Sequence, residues 1–391
     1  MEQSDAIVIG AGPAGLAVAA CLIQRGLRAQ VLERADAIGA SWRTHYERLH
    51  LHTVKTHSAL PGLPFPAAAP RYVSRQGVVD YLEAYAAHHR IEPRLNTEVE
   101  SIVPRDGRWQ LTTLDRRRFE APAVVVATGA NNRPNRPKFS GRASFRGRIV
   151  HSGDYRNAKP FAGHRVLVVG MGNTGAEIAL DLAEQGATAA LSVRSPLNIV
   201  YRDVLGRPTQ LTSMALARLP DRWGDAIARW LCTVTVGDID RYGLKRSELS
   251  PLRQLREHGR TPVIDVGTLA RIKSGEIAVY PGIDRFTPDG VRFVDGREAP
   301  FDAVVLATGY RAGVEQLFPE TEVPLDENGM PRDVIGQGAL RGAYFVGFDL
   351  RQPGGLLRTI GLQAQDVAAA IAAATPQAAP AAAVDPLPVR R

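Results

Sequence analysis

The sequence predicts an α/β protein with two Rossmann-like dinucleotide-binding domains, the second inserted into the first. Residues 6–34 and 165–195 share one order of elements: an apolar strand, a Gly-x-Gly-x-x-Gly turn, a helix and a second strand. A turn of this kind is specific only in that context, which both segments provide. Two later apolar strands, in residues 123–134 and 303–313, both end in Ala-Thr-Gly. Each follows its own strand–helix–strand unit.

A length of 391 residues suits two domains, and 45% hydrophobic residues is an ordinary globular composition. No apolar stretch is long enough to span a membrane, and no export signal is expected at the N-terminus. Cys21 and Cys232 are the only cysteines, which favours a reducing, cytoplasmic location and excludes a disulfide framework or a Cys-x-x-Cys pair. The net charge is +8, but the arginines are scattered, so we expect no nucleic-acid binding.

The second Ala-Thr-Gly strand lies far beyond the second glycine-rich unit, which predicts a discontinuous first domain. We assign residues 1–160 and 301–375 to this domain and 161–300 to the inserted one. Within the insertion, the pattern of residues 205–260 predicts an amphipathic helix that is broken at Pro220. We expect this segment to form a helical cap over the core. Alternatively, this segment forms a wall of a substrate tunnel or contacts a membrane surface. The Pro/Ala-rich residues 376–391 predict a disordered tail.

The first glycine-rich turn predicts a pyrophosphate site at the N-terminus of the following helix. Gly10 makes the tight turn, Gly12 lets the backbone approach the phosphates and Gly15 packs the helix on the strand. Glu33 follows Gly10 by 23 residues and can accept hydrogen bonds from a ribose 2′-OH. Because an acid there repels a 2′-phosphate, this site should take FAD or NAD.

The second turn, with Gly170, Gly172 and Gly175, has the same spacing but no acid after it. Counting 23 residues from Gly170 leads to Val193, and Arg194 follows. A guanidinium beside the ribose can bind a 2′-phosphate through two hydrogen bonds, which predicts NADPH. The alternative is that Arg194 is one more surface arginine. An FAD site and an NADPH site in one chain predict reduction of the flavin by hydride transfer.

A third pattern lies between the two units. Residues 145–155, FRGRIVHSGDY, fit Phe-x-Gly-x-x-x-His-x-x-x-Tyr, with Phe145, Gly147, His151 and Tyr155 at the fixed positions. This pattern resembles the fingerprint of class B flavin-dependent monooxygenases. On its own, His151 is better explained as a structural linker residue than as a proton donor.

Longer stretches, among them residues 261–310, resemble the YUCCA branch of that class, and the low lysine and high Ala and Arg content suggests a bacterial source. The resemblance covers about residues 5–370. It implies an FAD- and NADPH-dependent monooxygenase that uses a C4a-peroxyflavin and decarboxylates an aryl 2-oxo acid, such as indole-3-pyruvate, to the aryl acetate. Residues 205–250 are only loosely similar, so the substrate is the open question. We expect an apolar pocket from residues 205–235, and Lys55 or an arginine to hold the substrate's carboxylate.

By the same resemblance, the segment around residues 42–57 lines the flavin. His52 and Lys55 are the candidates for a catalytic role. The spacing of His50 and His52 predicts one face of a strand, but no carboxylate or cysteine joins them, so we expect no metal site.

The expected cofactor residues fall into two sets. Those for FAD are Gly10, Gly12, Pro13, Ala14, Gly15, Glu33, Arg34, Trp42, His52, Ala127, Thr128 and Gly129. Those for NADPH are Gly170, Gly172, Asn173, Thr174, Gly175, Arg194, Ser195, Thr308 and Gly309.

Two other functions stay open at this point. One is an N- or S-oxygenase of bacterial specialised metabolism on the same scaffold. The other is a reductase that passes electrons from NADPH through FAD to a protein, against which the missing Cys-x-x-Cys pair argues. The expected partners are a small-molecule substrate and O2, with a homodimer as one possible assembly.

Overall fold

The computed structural model describes residues 4–375; the tail predicted at 376–391 lies outside them. The helices are α1 Pro13–Ile23, α2 Ala40–Arg43, α3 Arg75–His88, α4 Asn173–Glu184, α5 Thr209–Leu216, α6 Asp221–Val236, α7 Pro251–His258, α8 Thr268–Lys273 and α9 Leu356–Ala374. The strands are β1 Ala6–Ile9, β2 Ala29–Leu32, β3 Val99–Arg105, β4 Arg108–Thr113, β5 Arg118–Ala121, β6 Ala123–Val126, β7 Arg133–Pro134, β8 Arg148–His151, β9 Arg165–Val169, β10 Thr188–Ser192, β11 Ile199–Tyr201, β12 Asp203–Val204, β13 Arg207–Pro208, β14 Val263–Asp265, β15 Ala278–Tyr280, β16 Ile283–Thr287, β17 Gly290–Phe293, β18 Glu298–Pro300, β19 Ala303–Leu306, β20 Tyr310–Arg311 and β21 Ala343–Phe345.

The first domain is built on a parallel sheet in the order β2-β1-β6-β21. All four residues of β1 are buried, as expected for a central parallel strand covered on both faces. Helices α1, α3 and α9 pack on one face of the sheet. The antiparallel strands β3, β4 and β5 cover the other face through Trp109, Leu111 and Phe119. Strand β21 and helix α9, from the C-terminal part of the chain, therefore complete the domain that β1 and α1 begin.

The second domain repeats this plan around a parallel sheet in the order β15-β10-β9-β19-β8. Helix α4 packs on one face, together with Cys232 of α6 and Leu269 of α8. The antiparallel strands β16, β17 and β18 cover the other face with Phe286 and Phe293. The predicted fold class, two Rossmann-like domains with the second inserted into the first, is confirmed.

The predicted domain boundaries, at 160 and at 301, do not separate the two sheets. Strand β8 precedes the first boundary and β19 follows the second, yet both belong to the second sheet, where β19 pairs with β8 and β9. The two Ala-Thr-Gly strands occupy equivalent positions in different sheets, so β19 belongs to the second domain and not to the first. Strand β6 lies beside β1, and β19 lies beside β9.

The chain crosses between the domains twice, and the two crossings are hydrogen-bonded to each other. Strands β7 and β20 form a short antiparallel ribbon, with Arg133 opposite Arg311. The ribbon is extended by the Asn135 N–H, which donates to the carbonyl of Gly309 across 2.9 Å. The crossings therefore form one connection between the domains.

The predicted amphipathic segment forms two helices, α5 and α6, separated at the expected break before Asp221. On α6, Gly224, Ala228, Cys232 and Val236 are buried against the domain. Over residues 4–375, no helix has the length and apolar content needed to cross a bilayer.

Candidate cofactor and substrate site

The first glycine-rich turn joins β1 to α1 at the carboxyl edge of the first sheet. Gly10 has φ +109°, and a Cβ on it would lie 2.6 Å from the carbonyl oxygen of Ala127. A Cβ on Gly15 would lie 1.8 Å from the oxygen of Gly10, so both glycines are required by the chain itself. A Cβ on Gly12 would meet no atom within 4 Å. The space beside Gly12 fits a pyrophosphate at the N-terminus of α1.

The second turn, between β9 and α4, repeats this geometry. Gly170 has φ +100°, and its Cβ would lie 2.6 Å from the oxygen of Ala307. A Cβ on Gly175 would lie 2.0 Å from the oxygen of Gly170, whereas one on Gly172 would meet nothing within 4 Å. Each Ala-Thr-Gly strand thus ends against the first glycine of its own turn, and each turn fits a dinucleotide.

The helices that follow begin with the predicted residues. Pro13 is the first residue of α1, a position that does not need its missing N–H, and Ala14 is buried behind it. Asn173 is the first residue of α4, and its Oδ1 accepts the N–H of Ile264 across 2.7 Å. Thr174 follows it and is half-buried.

The ends of the second strands differ as the sequence indicated. Glu33 is buried, and its carboxylate accepts the N–H of Ala11 across 2.6 Å and that of Ala35 across 2.9 Å. An ionised carboxylate has about four acceptor positions, so it can also accept a ribose hydroxyl. Arg34, next to it, is exposed.

In the second domain, Arg194 is exposed and its aliphatic stem lies beside Gly282, whose Cβ would be 3.4 Å from Arg194 Cγ. Within residues 4–375, its guanidinium makes no hydrogen bond or ion pair. Ser195 is exposed beside it. A cation and a hydroxyl therefore stand where a 2′-phosphate would need them.

Unsatisfied buried polar atoms cluster near the first Ala-Thr-Gly turn. Thr128 Oγ1 and Asn132 Oδ1 are buried and have no hydrogen-bond partner in the described part of the chain. Gly129, between them, has φ +83°. Since buried polar groups are generally paired, these atoms fit contact with a polar ligand. At the second turn, Thr308 Oγ1 instead donates to the carbonyl of Asn135, and Gly309 is exposed.

The segment expected to line the flavin contains the short helix α2, a 3-10 turn at Lys55–His57 and no strand. Trp42 lies on α2 and is half-buried. The strand expected at His50 and His52 is wrong, because the segment forms only an isolated bridge between His50 and Ser74. No group of three His, Cys, Asp or Glu side chains within the described residues has the arrangement of a metal site.

His52 contacts the second domain. Its Nε2 lies 2.8 Å from Oε1 of Glu177 on α4, although the ring is not oriented to donate along that line. Tyr46 Oη donates to the same oxygen across 3.2 Å. Burial, together with the charge of Glu177, raises the pKa of Tyr46 well above its usual value. The side chain of His52 therefore helps to join the domains near the start of α4.

Lys55 holds a loop of its own domain. Its Nζ donates to the carbonyls of Pro66 and Ala67, across 3.3 Å and 2.6 Å, and to that of Ala69. An ammonium group has three donors, and all three are used here. This geometry leaves no N–H of Lys55 for a substrate.

The fingerprint residues lie on and beside β8 of the second sheet, and Phe145 and Tyr155 are buried in the cores of the second domain. A Cβ on Gly147 would lie 2.4 Å from the ring of Phe145. His151 is fully buried; its Nδ1 accepts the N–H of Gly153, which leaves the proton on Nε2, 3.2 Å from the carbonyl of Gly309. Burial lowers the pKa of His151, which favours this neutral form. Tyr155 Oη donates to Asp181 of α4 across 2.6 Å.

Sequence reasoning missed three residues near the site: Glu177, Gln210 and Arg358. Glu177 carries a detectable signal, because it and Asp181 are two acids four residues apart on one face of α4. Gln210, on α5, is buried and bonds to two distant loops. Such pairings across about 150 residues leave no local pattern.

Comparison with known proteins is consistent with these features. Residues 7–204 match the family model described as pyridine nucleotide-disulphide oxidoreductase. The indole-3-pyruvate monooxygenase YUCCA1 of Oryza sativa subsp. japonica is 40% identical over 363 residues, which cover 90% of this chain and 88% of that protein. YUCCA4 of the same plant is 38% identical over 385 residues, covering 94% and 88%.

Among solved structures, a flavin-containing monooxygenase from Stenotrophomonas maltophilia superposes with a TM-score of 0.74. The alignment covers 96% of this chain and 99% of that one, at 23% identity. At this identity, the likeness shows a shared fold.

Proposed function

We propose a reaction for this chain from a premise that its relatives establish: the chain belongs to the YUCCA family of flavin-dependent monooxygenases, which use FAD, NADPH and O2. The proposed reaction is the oxidative decarboxylation of an aryl 2-oxo acid such as indole-3-pyruvate. One 2-oxo acid, O2, NADPH and a proton give the aryl acetate, CO2, NADP+ and water. The C–C bond between the keto and carboxyl carbons breaks, and NADPH supplies the two electrons that reduce one oxygen atom to water.

The observation that carries the assignment of the cofactors is the contrast between the ends of the two second strands, where Glu33 follows β2 but Val193 and then Arg194 follow β10. FAD would be held by the first turn, with Gly12 beside the pyrophosphate and Glu33 beside the ribose. NADPH would be held by the second turn, with Gly172 and Arg194 in the same roles. When bound, the two cofactors supply hydride transfer and the activation of O2.

The chain itself supplies orientation and exclusion of water. Tyr46 and His52 contact Glu177, so α4, the helix that follows the proposed NADPH turn, is held against a segment of the first domain. Because hydride transfer needs both cofactors in close contact, the relative position of the domains controls the rate.

The test is NADPH and O2 consumption by the FAD-loaded protein with indole-3-pyruvate or phenylpyruvate. We expect these substrates to stimulate the consumption of NADPH and O2. For each NADPH consumed, one aryl acetate and one CO2 should form. A matched control is Gly172→Ala, which should abolish stimulation. Stimulation only by amines or sulfides would establish the heteroatom oxygenase instead. A requirement for a protein electron acceptor would establish a reductase.

A further inference from the structure

The proposed reaction requires a cation for the carboxylate of its substrate, and Lys55 does not provide one. All three donors of its ammonium group are bound to carbonyls of the loop at residues 66–69. The lysine therefore stabilises its own domain. A cation for this carboxylate would therefore come from another side chain.

Arg358 has the required position. It lies in the first turn of α9, directly after Gly354 and Gly355. A Cβ on Gly354 would lie 3.0 Å from Arg358 Cδ and 3.1 Å from Met214 Sδ. A Cβ on Gly355 would lie 2.5 Å from the side chain of Thr53. The side chain of Arg358 therefore packs beside Gly354, next to Met214 of α5, while the adjacent Gly355 contacts the segment after His52.

The guanidinium of Arg358 is half-buried and has no hydrogen bond or ion pair within residues 4–375. Nearby arginines are engaged: Arg351 pairs with Asp326 at 2.7 Å, and Arg202 stacks on Tyr72 at 4.2 Å. A cation in the first turn of a helix also opposes the helix dipole. The guanidinium of Arg358 therefore has no anionic partner within the described residues and is free to pair with an anion.

Gln210 joins α5 to the loop that precedes α9 and to the segment after His52. Its Oε1 accepts the N–H of Val54 across 2.7 Å, and its Nε2 donates to the carbonyl of Gly354 across 2.6 Å. Both bonds are buried, and they hold α5 against the two loops. Met214 lies one helical turn further along α5, which places an apolar side chain beside the arginine.

We propose that Arg358 binds the carboxylate of the 2-oxo acid, while Met214 contacts the apolar part of the substrate. This inference rests on the proposed function. It assigns the recognition of the substrate's charge to a residue of α9. A charge-assisted pair contributes roughly 1.5–3 kcal/mol, which corresponds to about a 10- to 150-fold change in affinity.

The test measures binding without turnover. Calorimetric titration of the FAD-loaded protein compares phenylacetate with the neutral phenylacetamide. We expect the wild type to bind phenylacetate more tightly than phenylacetamide. In Arg358→Gln the ratio of the two affinities should fall by about 10- to 150-fold, and in Arg358→Lys it should fall by less. Arg341→Gln, which removes an exposed arginine of the same domain, should bind like the wild type.

The variants also separate recognition from chemistry. In Arg358→Gln, the KM for phenylpyruvate should rise by a similar factor, while the reduction of FAD by NADPH proceeds at the wild-type rate. The proposal is overturned if Arg358→Gln keeps the preference for the acid, or if the wild type shows none. If the wild type prefers the acid through Arg358 but decarboxylates no 2-oxo acid, the proposed function fails while the anion site stands.

Discussion

The main-chain N–H of Ala11 donates to the carboxylate of Glu33 across 2.6 Å and so ties the first glycine-rich turn to the end of β2. The second carboxylate oxygen accepts the N–H of Ala35. Glu33 therefore shapes the turn before any ribose contact. This double role distinguishes it from Arg194, whose guanidinium makes no hydrogen bond or ion pair with a described residue.

We expect Glu33→Gln to lower both stability and FAD retention. The amide has one oxygen, so one of the two buried N–H groups would face an NH2 donor. An unsatisfied buried donor costs about 1–3 kcal/mol. Urea unfolding of the apoprotein measures this loss, with the exposed Glu92→Gln as control. An unchanged midpoint in Glu33→Gln would contradict the structural role.

Alanine at Gly12 or Gly172 should block one cofactor each and leave the fold intact. Both residues have φ near −85°, and their Cβ atoms would meet nothing within 4 Å. The methyl group would instead occupy the space for the pyrophosphate. Gly12→Ala should purify without FAD, whereas Gly172→Ala should bind FAD but fail to be reduced by NADPH.

Gly15→Ala is the matched comparison, since its methyl group would lie 1.8 Å from the oxygen of Gly10. This variant should lose stability in the apo form, as circular dichroism during heating would show. If Gly12→Ala and Gly172→Ala exchanged phenotypes, the assignment of the two sites would be reversed.

Arg194→Ala should raise the KM for NADPH about tenfold or more, because a lost charge-assisted pair costs over about 1.4 kcal/mol. The KM for NADH should change little, since NADH has no 2′-phosphate. Steady-state kinetics with both cofactors measure the difference. Equal losses would mean that Arg194 does not recognise the phosphate.

Tyr155→Phe should destabilise the protein rather than change its chemistry. The phenol donates to Asp181, which is buried, and its loss should lower the free energy of unfolding by about 1–3 kcal/mol. Tyr242→Phe is the control, since that hydroxyl has no hydrogen bond within the described chain. Equal unfolding midpoints for the two variants would show that the bond to Asp181 contributes little.

The parts of the site that depend on local spacing were predictable from the sequence. The glycines, Glu33 and Arg194 follow fixed distances along the chain, and each distance reflects one strand–helix–strand unit. The sheet to which β19 belongs was not predictable in this way, because AVVLATG and AVVVATG have the same local pattern and only long-range pairing separates them. The role of Lys55 was hidden for the same reason. Its partners are backbone carbonyls, which carry no sequence signal.

The discontinuous first domain has a consequence for biosynthesis. The second sheet is complete once residue 306 has been made, but the first still lacks β21 at that point. Its helix α1 also remains uncovered until α9 emerges from the ribosome. The first domain is therefore started before the second domain and completed after it, so the nascent chain exposes part of the first domain's apolar core while the second domain can already fold.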